Sequence, residues 1–438
     1  MIYEPSPVAV AMFILFVLFV IALSSWLGRR TKSAESYFAA GGTIHWSVNG
    51  IAFAGDYLSA ASFLGICGMI ATSGYDGFLY SIGYLAGWVV ALFVVAEPMK
   101  RLGKYTFTDA LDSKFNSKGI QLMAAISTLI VSMCYLIPQM VGAGALVTPL
   151  LGFPHYVGVI MVGSIVIFIV ATAGMASTTY VQFLKGGLLI VFSTVLVIML
   201  ARNGLSTKPN DKYHEFVTLA AEVAADGTVT VQDEAYKVLG SQELDGHRFA
   251  KLEHGGLVNW WHVVADGFGT KLEEALSITK TADGAKLYNG APKADGKFYQ
   301  VGHMSKIVMD GKEVESTGPV GLLKFLSLVN DGVVVRFKKI RVADGDDAVA
   351  VYYQNPTPGS LVMRPGLKFK VDEGSKFWDK LNFISLMLAL FFGTSALPHI
   401  LIRYYTVPSP RCARKSTIVA ISAIGFFYVL TLFMGIGA

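Results

Sequence analysis

The sequence predicts an all-α polytopic membrane protein of about eight transmembrane helices that carries an extracytoplasmic β-rich insert. Three observations carry this. Of 438 residues, 53% are hydrophobic and only 15% charged, whereas soluble domains are about 25% charged. The charges are unevenly placed: 22 basic and 23 acidic residues fall within 201–376, leaving 14 and 8 for the other 262 positions. Finally, runs without Lys, Arg, Asp or Glu cover 5–28, 77–96, 119–184, 381–402 and 416–438. A bilayer core of ~30 Å needs about 20 apolar residues in a helix, so each run is long enough to cross.

As one helix, the run 119–184 would be roughly 100 Å long, so it must turn back. Gly152-Phe153-Pro154-His155 and Gly174 followed by Ser177, Thr178 and Thr179 supply the turn signals. The spans are then 8–27, 46–72, 77–96, 119–148, 155–173, 178–200, 377–404 and 416–436. Basic residues in short loops set orientation. Arg29, Arg30 and Lys32 follow the first span; Lys100, Arg101, Lys104, Lys114 and Lys118 follow the third; Arg403, Arg411, Arg414 and Lys415 follow the seventh. The alternate short loops hold none. The N-terminus and the insert are therefore expected outside the inner (plasma) membrane, with the basic loops in the cytoplasm. Glu4 precedes the first apolar run and Arg29-Arg30 follow it, the reverse of a secretion signal, so the first helix is expected to be uncleaved. The formal charge of +5 belongs mostly to these loops and points to lipid headgroups, not to nucleic acid. Three cysteines, Cys67, Cys134 and Cys412, are too few for a disulfide framework.

The organisation expected is 1–200, a first helix plus five core helices; 201–376, the soluble insert; and 377–438, two further core helices. In the insert, Asp226-Gly227 before Thr-Val-Thr-Val, Asp310-Gly311 inside 307–315 and Asp331-Gly332 before 333–337 are hairpin signals. Residues 349–353 read as another strand, with helix near 273–278 and 320–328.

Two spans are interrupted at mid-depth. The second contains Gly55-Asp56-Tyr57-Leu58-Ser59-Ala60-Ala61-Ser62. A carboxylate there costs a few kcal/mol unless compensated, and irregular backbone is tolerated only where it lines a cavity. An unwound point around 55–58 is expected, with its freed carbonyls available to a small hard cation. The seventh span reads Gly393-Thr394-Ser395-Ala396-Leu397-Pro398-His399. Pro398 removes a donor and suits the first turn of a new half-helix, capped by Thr394 or Ser395, whose N-terminus would favour an anion. Two broken helices five crossings apart point to an inverted-repeat secondary transporter. Tyr135, Gln139 and Gly142 share one helix face, and Gln139 beside Pro138 either lines the pathway or is a satisfied packing residue between helices. Lys185 is expected to snorkel to the cytoplasmic interface, with a gating role as the alternative. Gly83 and Gly87 read as a packing face. No nucleophile–base pair, phosphate loop, metal cluster or nucleic-acid motif occurs at useful spacing, so no enzyme is expected.

At these residues the sequence resembles the sodium:solute symporter family, in its cation/acetate symporter branch. The segments that carry the resemblance are Gly55 to Gly65, Thr72-Ser73-Gly74-Tyr75-Asp76-Gly77, Leu102-Gly103-Lys104-Tyr105-Thr106-Phe107-Thr108-Asp109, Gln139-Met140-Val141-Gly142-Ala143-Gly144, Gly393 to Arg403 and Ala413-Arg414-Lys415-Ser416. The resemblance implies a leucine-transporter-like inverted-repeat core and uptake of a short monocarboxylate with Na⁺ as the co-transported ion, H⁺ being the other candidate. It implies Na⁺ at the Gly55 and Leu58 carbonyls; solute is expected at Ser59, Ser62, Gln139, Thr394, Ser395 and His399. Asp56, Tyr57, Pro398 and Lys185 would gate or shape the site. The second repeat is incomplete, since helices matching the family's eighth to tenth, with a sodium-binding hydroxyl pair, have no counterpart. A C-terminally truncated chain unable to transport alone is therefore expected. A rival reading is a solute sensor that binds without transporting. A channel is disfavoured, because no ring-forming filter motif is present.

Overall fold

A computed structural model describes residues 6–29, 33–103, 105–208, 214–266, 269–292 and 302–438. Arg30, Lys32 and Lys104 lie outside the described residues. The chain divides into two compact units, a membrane unit that ends at Leu200 and resumes at Pro365, and a unit spanning Ala201–Arg364.

In the membrane unit the helices are α1 (Pro7–Gly28), α2 (Ala34–Ala39), α3 (Trp46–Tyr57), α4 (Ala61–Ser73), α5 (Tyr75–Leu102), α6 (Phe107–Phe115), α7 (Lys118–Leu151), α8 (His155–Ala171) and α9 (Gly174–Asn203). Six helices of the described chain are long and apolar enough to cross a bilayer, and α3 with α4 makes a seventh span bent by 63°. The eighth expected span corresponds to the shorter apolar helix α8, whose 17 residues measure about 25 Å at 1.5 Å each, at the lower limit for a crossing. Gly174, at φ +62°, ends it. The core of this unit gathers Phe53, Tyr57, Trp88 and Tyr404 against Ala420, Ile424 and Phe427, with Trp88 edge-on to both Phe53 and Tyr57.

The second unit holds α10 (Leu322–Asp331), α11 (Gly359–Val362) and two antiparallel sheets. The first sheet is built from β1 (Thr218–Val223), β2 (Val229–Val231), β3 (Lys237–Leu244), β4 (His247–His254), β5 (Leu257–Asp266) and β6 (Gly269–Glu274), in the order β2-β1-β6-β5-β4-β3. The second comprises β7 (Leu276–Lys280), β8 (Lys286–Tyr288), β9 (Ala291–Pro292), β10 (His303–Met309), β11 (Lys312–Val314), β12 (Val333–Asp344) and β13 (Asp347–Pro358). Its order is β11-β10-β12-β13-β7-β8-β9. The expected helix at 273–278 is strand instead: Leu272 and Leu276 are core residues, and ladder bonds to β5 and β13 claim the backbone. Asp331-Gly332 is no hairpin turn but the joint between α10 and β12.

The two sheets share a core of Phe249, Trp260, Val342, Val349, Val351 and Tyr353. Within it, His247 Nδ1 and His262 Nε2 share a proton at 3.1 Å, with His262 stacked on Phe249 and tilted against Tyr353. Burial, and then the neighbouring His247, pull the His262 pKa from 6.5 to about 4. The neutral ring is thus the form that folds. Its stabilisation is complete above the unfolded value of 6.5 and lost as pH falls from 6.5 towards 4, by up to about 3 kcal/mol. Thermal melts of the β signal should drop across that window, and His262→Phe should flatten the dependence. An unchanged slope in the variant would contradict this assignment.

Candidate functional site at the two helix breaks

Further along the chain, α12 (Phe377–Ser395) and α13 (Pro398–Leu401) form the second broken pair, followed by a 3₁₀ turn to Tyr405 and by α14 (Pro410–Ile436). Pro398 occupies the first helical position of α13. Leu397, in extended conformation, is the cap residue. Neither Thr394 nor Ser395 caps α13, which corrects the expectation: Ser395 Oγ turns back and donates to the Phe392 carbonyl at 2.8 Å. Of the amides at this N-terminus, where an anion site is expected, those of Ile400 and Leu401 donate to the Leu397 carbonyl.

The first break lies slightly later than expected. Helix continues through Tyr57, and Leu58 departs at φ −75°, ψ 86°. Gly55 is therefore helical, pressed against Gln182 and Gly186 of α9. A reciprocal serine pair makes the break. Ser59 N–H donates to Ser62 Oγ at 2.7 Å, and Ser62 N–H reaches Ser59 Oγ at 3.5 Å. In a continuous helix those two N–H groups would bond the carbonyls of Gly55 and Leu58. Diverting them leaves without those partners the two oxygens that the resemblance assigns to the cation. Ser62 Oγ also donates to the Tyr57 carbonyl at 2.8 Å, and the chain resumes as a π-helical turn over Ala61–Gly65, a distortion common at functional sites.

The wall facing both breaks is α7. Gln139 Nε2 donates to Ser59 Oγ at 3.2 Å. Gly142, three residues on, leaves room for Ala60. Tyr135 faces Ser59 and lies against His399, ring centroids 4.4 Å apart. His399 Nε2 is buried without a hydrogen-bond partner. Tyr57 faces Thr394, and Gly87 of α5 lets Thr394 approach closely. The structure thus brings Tyr57, Ser59, Ser62, Gln139, Thr394 and His399 to one junction; Ser395 is buried beside it but bonds its own helix.

Beneath the junction lies a charge cluster that the sequence reading split apart. Asp56 pairs with Arg403, whose Nη1 also donates to Thr179 Oγ1 of α9 at 2.7 Å. Arg403 is 2% exposed, so its assignment to a basic loop is corrected. Lys185 on α9 is half-buried, within electrostatic reach of Asp56 and Arg403. The missed signal was Asp56 itself, since a mid-membrane carboxylate demands a counter-charge. Three of the expected loop residues do meet at one membrane end: Arg101 and Arg414 share Glu97 at 3.2 and 3.3 Å, and Lys415 covers the Trp46 ring.

A family model described as the sodium:solute symporter family matches residues 37–238 and 329–438. Among solved structures, one titled as the substrate-bound outward-open state of a Na⁺-coupled sialic acid symporter with a novel Na⁺ site is similar over 99% of this chain, at 10% identity and TM-score 0.58. At that identity the likeness is one of fold. This chain spans 60% of that structure's length.

Proposed function

Since the chain belongs to the sodium:solute symporter family, we propose that it is a Na⁺-coupled secondary symporter importing acetate or a related short monocarboxylate by alternating access. The observation that carries this reading is the reciprocal Ser59–Ser62 pair, which releases the Gly55 and Leu58 carbonyls at the break. Backbone oxygens at an unwound helix suit a small hard cation. The solute lies in the same junction, against the Gln139 amide, the Thr394 hydroxyl and the orphaned His399 Nε2, groups able to donate to a carboxylate. A buried polar atom without a partner is unusual enough to suggest a ligand. The N-terminus and the β unit are read as extracytoplasmic, from the basic residues at the opposite helix ends. The monocarboxylate class rests on the resemblance of the segments around both breaks.

In this reading the serine pair serves the cation more than the solute. Ser62→Ala returns Ser59 N–H to the Gly55 carbonyl and is expected to raise the Na⁺ concentration for half-maximal uptake about tenfold, one hydrogen bond's worth. Gln139→Ala should instead raise KM for acetate with little effect on Na⁺ dependence. Labelled-acetate uptake at graded Na⁺ reads both. Equal effects of the two substitutions on both parameters would contradict the division of labour. Acetate binding that Na⁺ does not strengthen, with no uptake, would favour the sensor.

A further inference from the structure

The motif Thr72-Ser73-Gly74-Tyr75-Asp76-Gly77 takes no part in the junction, yet Asp76 is 0% exposed. It sits in the first turn of α5. Lys100 and Arg101 lie at the other end of that helix, about 40 Å away at 1.5 Å per residue. The Asp76 carboxylate accepts three backbone N–H groups. Gly366 donates to Oδ1 at 3.0 Å, Phe369 donates to Oδ2 at 3.0 Å, and Lys368 donates to Oδ2 as well. Charge-assisted bonds of this kind are stronger than neutral ones.

The donors belong to residues 365–376, the segment that joins the β unit to α12. This segment has no helix or strand of its own. Gly366 stands at φ +118°, a conformation that favours glycine, so the turn that aims these amides at Asp76 is specific. The segment is fastened on its other side too. Phe369 packs on Tyr80 of α5 at 6.0 Å and on Phe383 of α12 at 5.3 Å, and the Lys368 ammonium lies over Tyr80 at 5.7 Å. It therefore crosses from α5 to α12. The far end of α12 carries Thr394, so a shift of α12 at the strap is felt at the junction.

On the reading that this protein moves a solute by alternating access, we propose that Asp76 is a positioning residue of that cycle. Its carboxylate latches residues 366–369 across the neighbouring ends of α5 and α12, and closure of that end of the pathway depends on the latch. Asp76 touches neither ion nor solute.

The test is hydrogen–deuterium exchange of the purified full-length protein in lipid nanodiscs, paired with Na⁺-dependent acetate uptake, for wild type and Asp76→Asn. The isosteric amide keeps one acceptor oxygen but turns an NH2 towards the remaining N–H donors and loses the charge, so it cannot hold all three amides and weakens the latch without changing volume. The 366–369 amides should exchange about tenfold faster. Uptake Vmax should fall about fivefold while KM stays within about twofold, the signature of an impaired step remote from the site. Phe369→Ala, which loosens the strap without touching the carboxylate, should reproduce the Vmax effect and serves if Asp76→Asn fails to reach the membrane. Unchanged exchange in Asp76→Asn overturns the latch. Faster exchange with unaltered Vmax overturns the positioning role. If wild type shows neither Na⁺-dependent uptake nor Na⁺-strengthened acetate binding, the transport reading fails and this role with it, while exchange still decides the latch.

Discussion

Replacing Arg403 by glutamine is expected to destabilise the membrane unit by about 3–5 kcal/mol, because it removes the buried guanidinium paired directly with the Asp56 carboxylate. The loss reflects geometry as well as charge. Arg403 reaches Asp56 on α3 and Thr179 on α9 from the turn that follows α13, so one side chain ties together three elements around the junction. Little folded protein should be recovered from the membrane. Asp56→Asn alone should be nearly as damaging, since it strands the guanidinium. The double variant Asp56→Asn/Arg403→Gln removes both charges and should regain at least half of the loss, a coupling that neighbouring residues in one network show. Additive losses in thermal melts of the three variants would mean the pair does not act as a unit.

Gly55→Ala is expected to be the most disruptive single methyl addition near the site. A Cβ at Gly55 would overlap the Gln182 carbonyl, and one at Gly186 would press on the Ile51 carbonyl at 2.7 Å. These are backbone obstacles, not flexible side-chain ends, so α3 must move off α9. Overpacking of this kind costs about 1–3 kcal/mol. The functional effect should be larger, because the displaced helix carries both proposed cation oxygens. Na⁺ stimulation of uptake should disappear, whereas Gly163→Ala, in α8 with open space around it, should behave as wild type. If Gly55→Ala keeps its Na⁺ response, the cation is not held at this break.

Much of the membrane unit was legible because hydrocarbon imposes a one-dimensional rule, that uncharged runs of sufficient length must be helices. Pro398 and the serines after Leu58 announced the breaks for a similar reason, since each interferes with the backbone bonds of its own turn. What could not be read was tertiary. Nothing local distinguishes Arg403, eleven residues into a stretch of apolar and small side chains beginning at Gly393, from the loop arginines that follow it; only the position of Asp56 in space does. The same holds for Asp76, whose partners lie 290 residues or more away. In the β unit, 273–278 has no decisive periodicity, and the ladder with β5 and β13 decided its state. The cap at Leu397 was missed because Thr394 and Ser395 are good capping residues in isolation, yet the backbone leaves helical geometry only after them.

The central claim is that ion and solute share the junction where the two breaks meet. Its most direct measurement is equilibrium binding of labelled acetate to the purified protein, in Na⁺ and in choline, for wild type and Ser62→Ala. The account predicts binding that strengthens about tenfold or more in Na⁺ for wild type, a positive coupling between sites, and little such gain in the variant. Acetate binding of equal strength in both salts, or a Na⁺ response that survives the loss of the Ser62 hydroxyl, would contradict it.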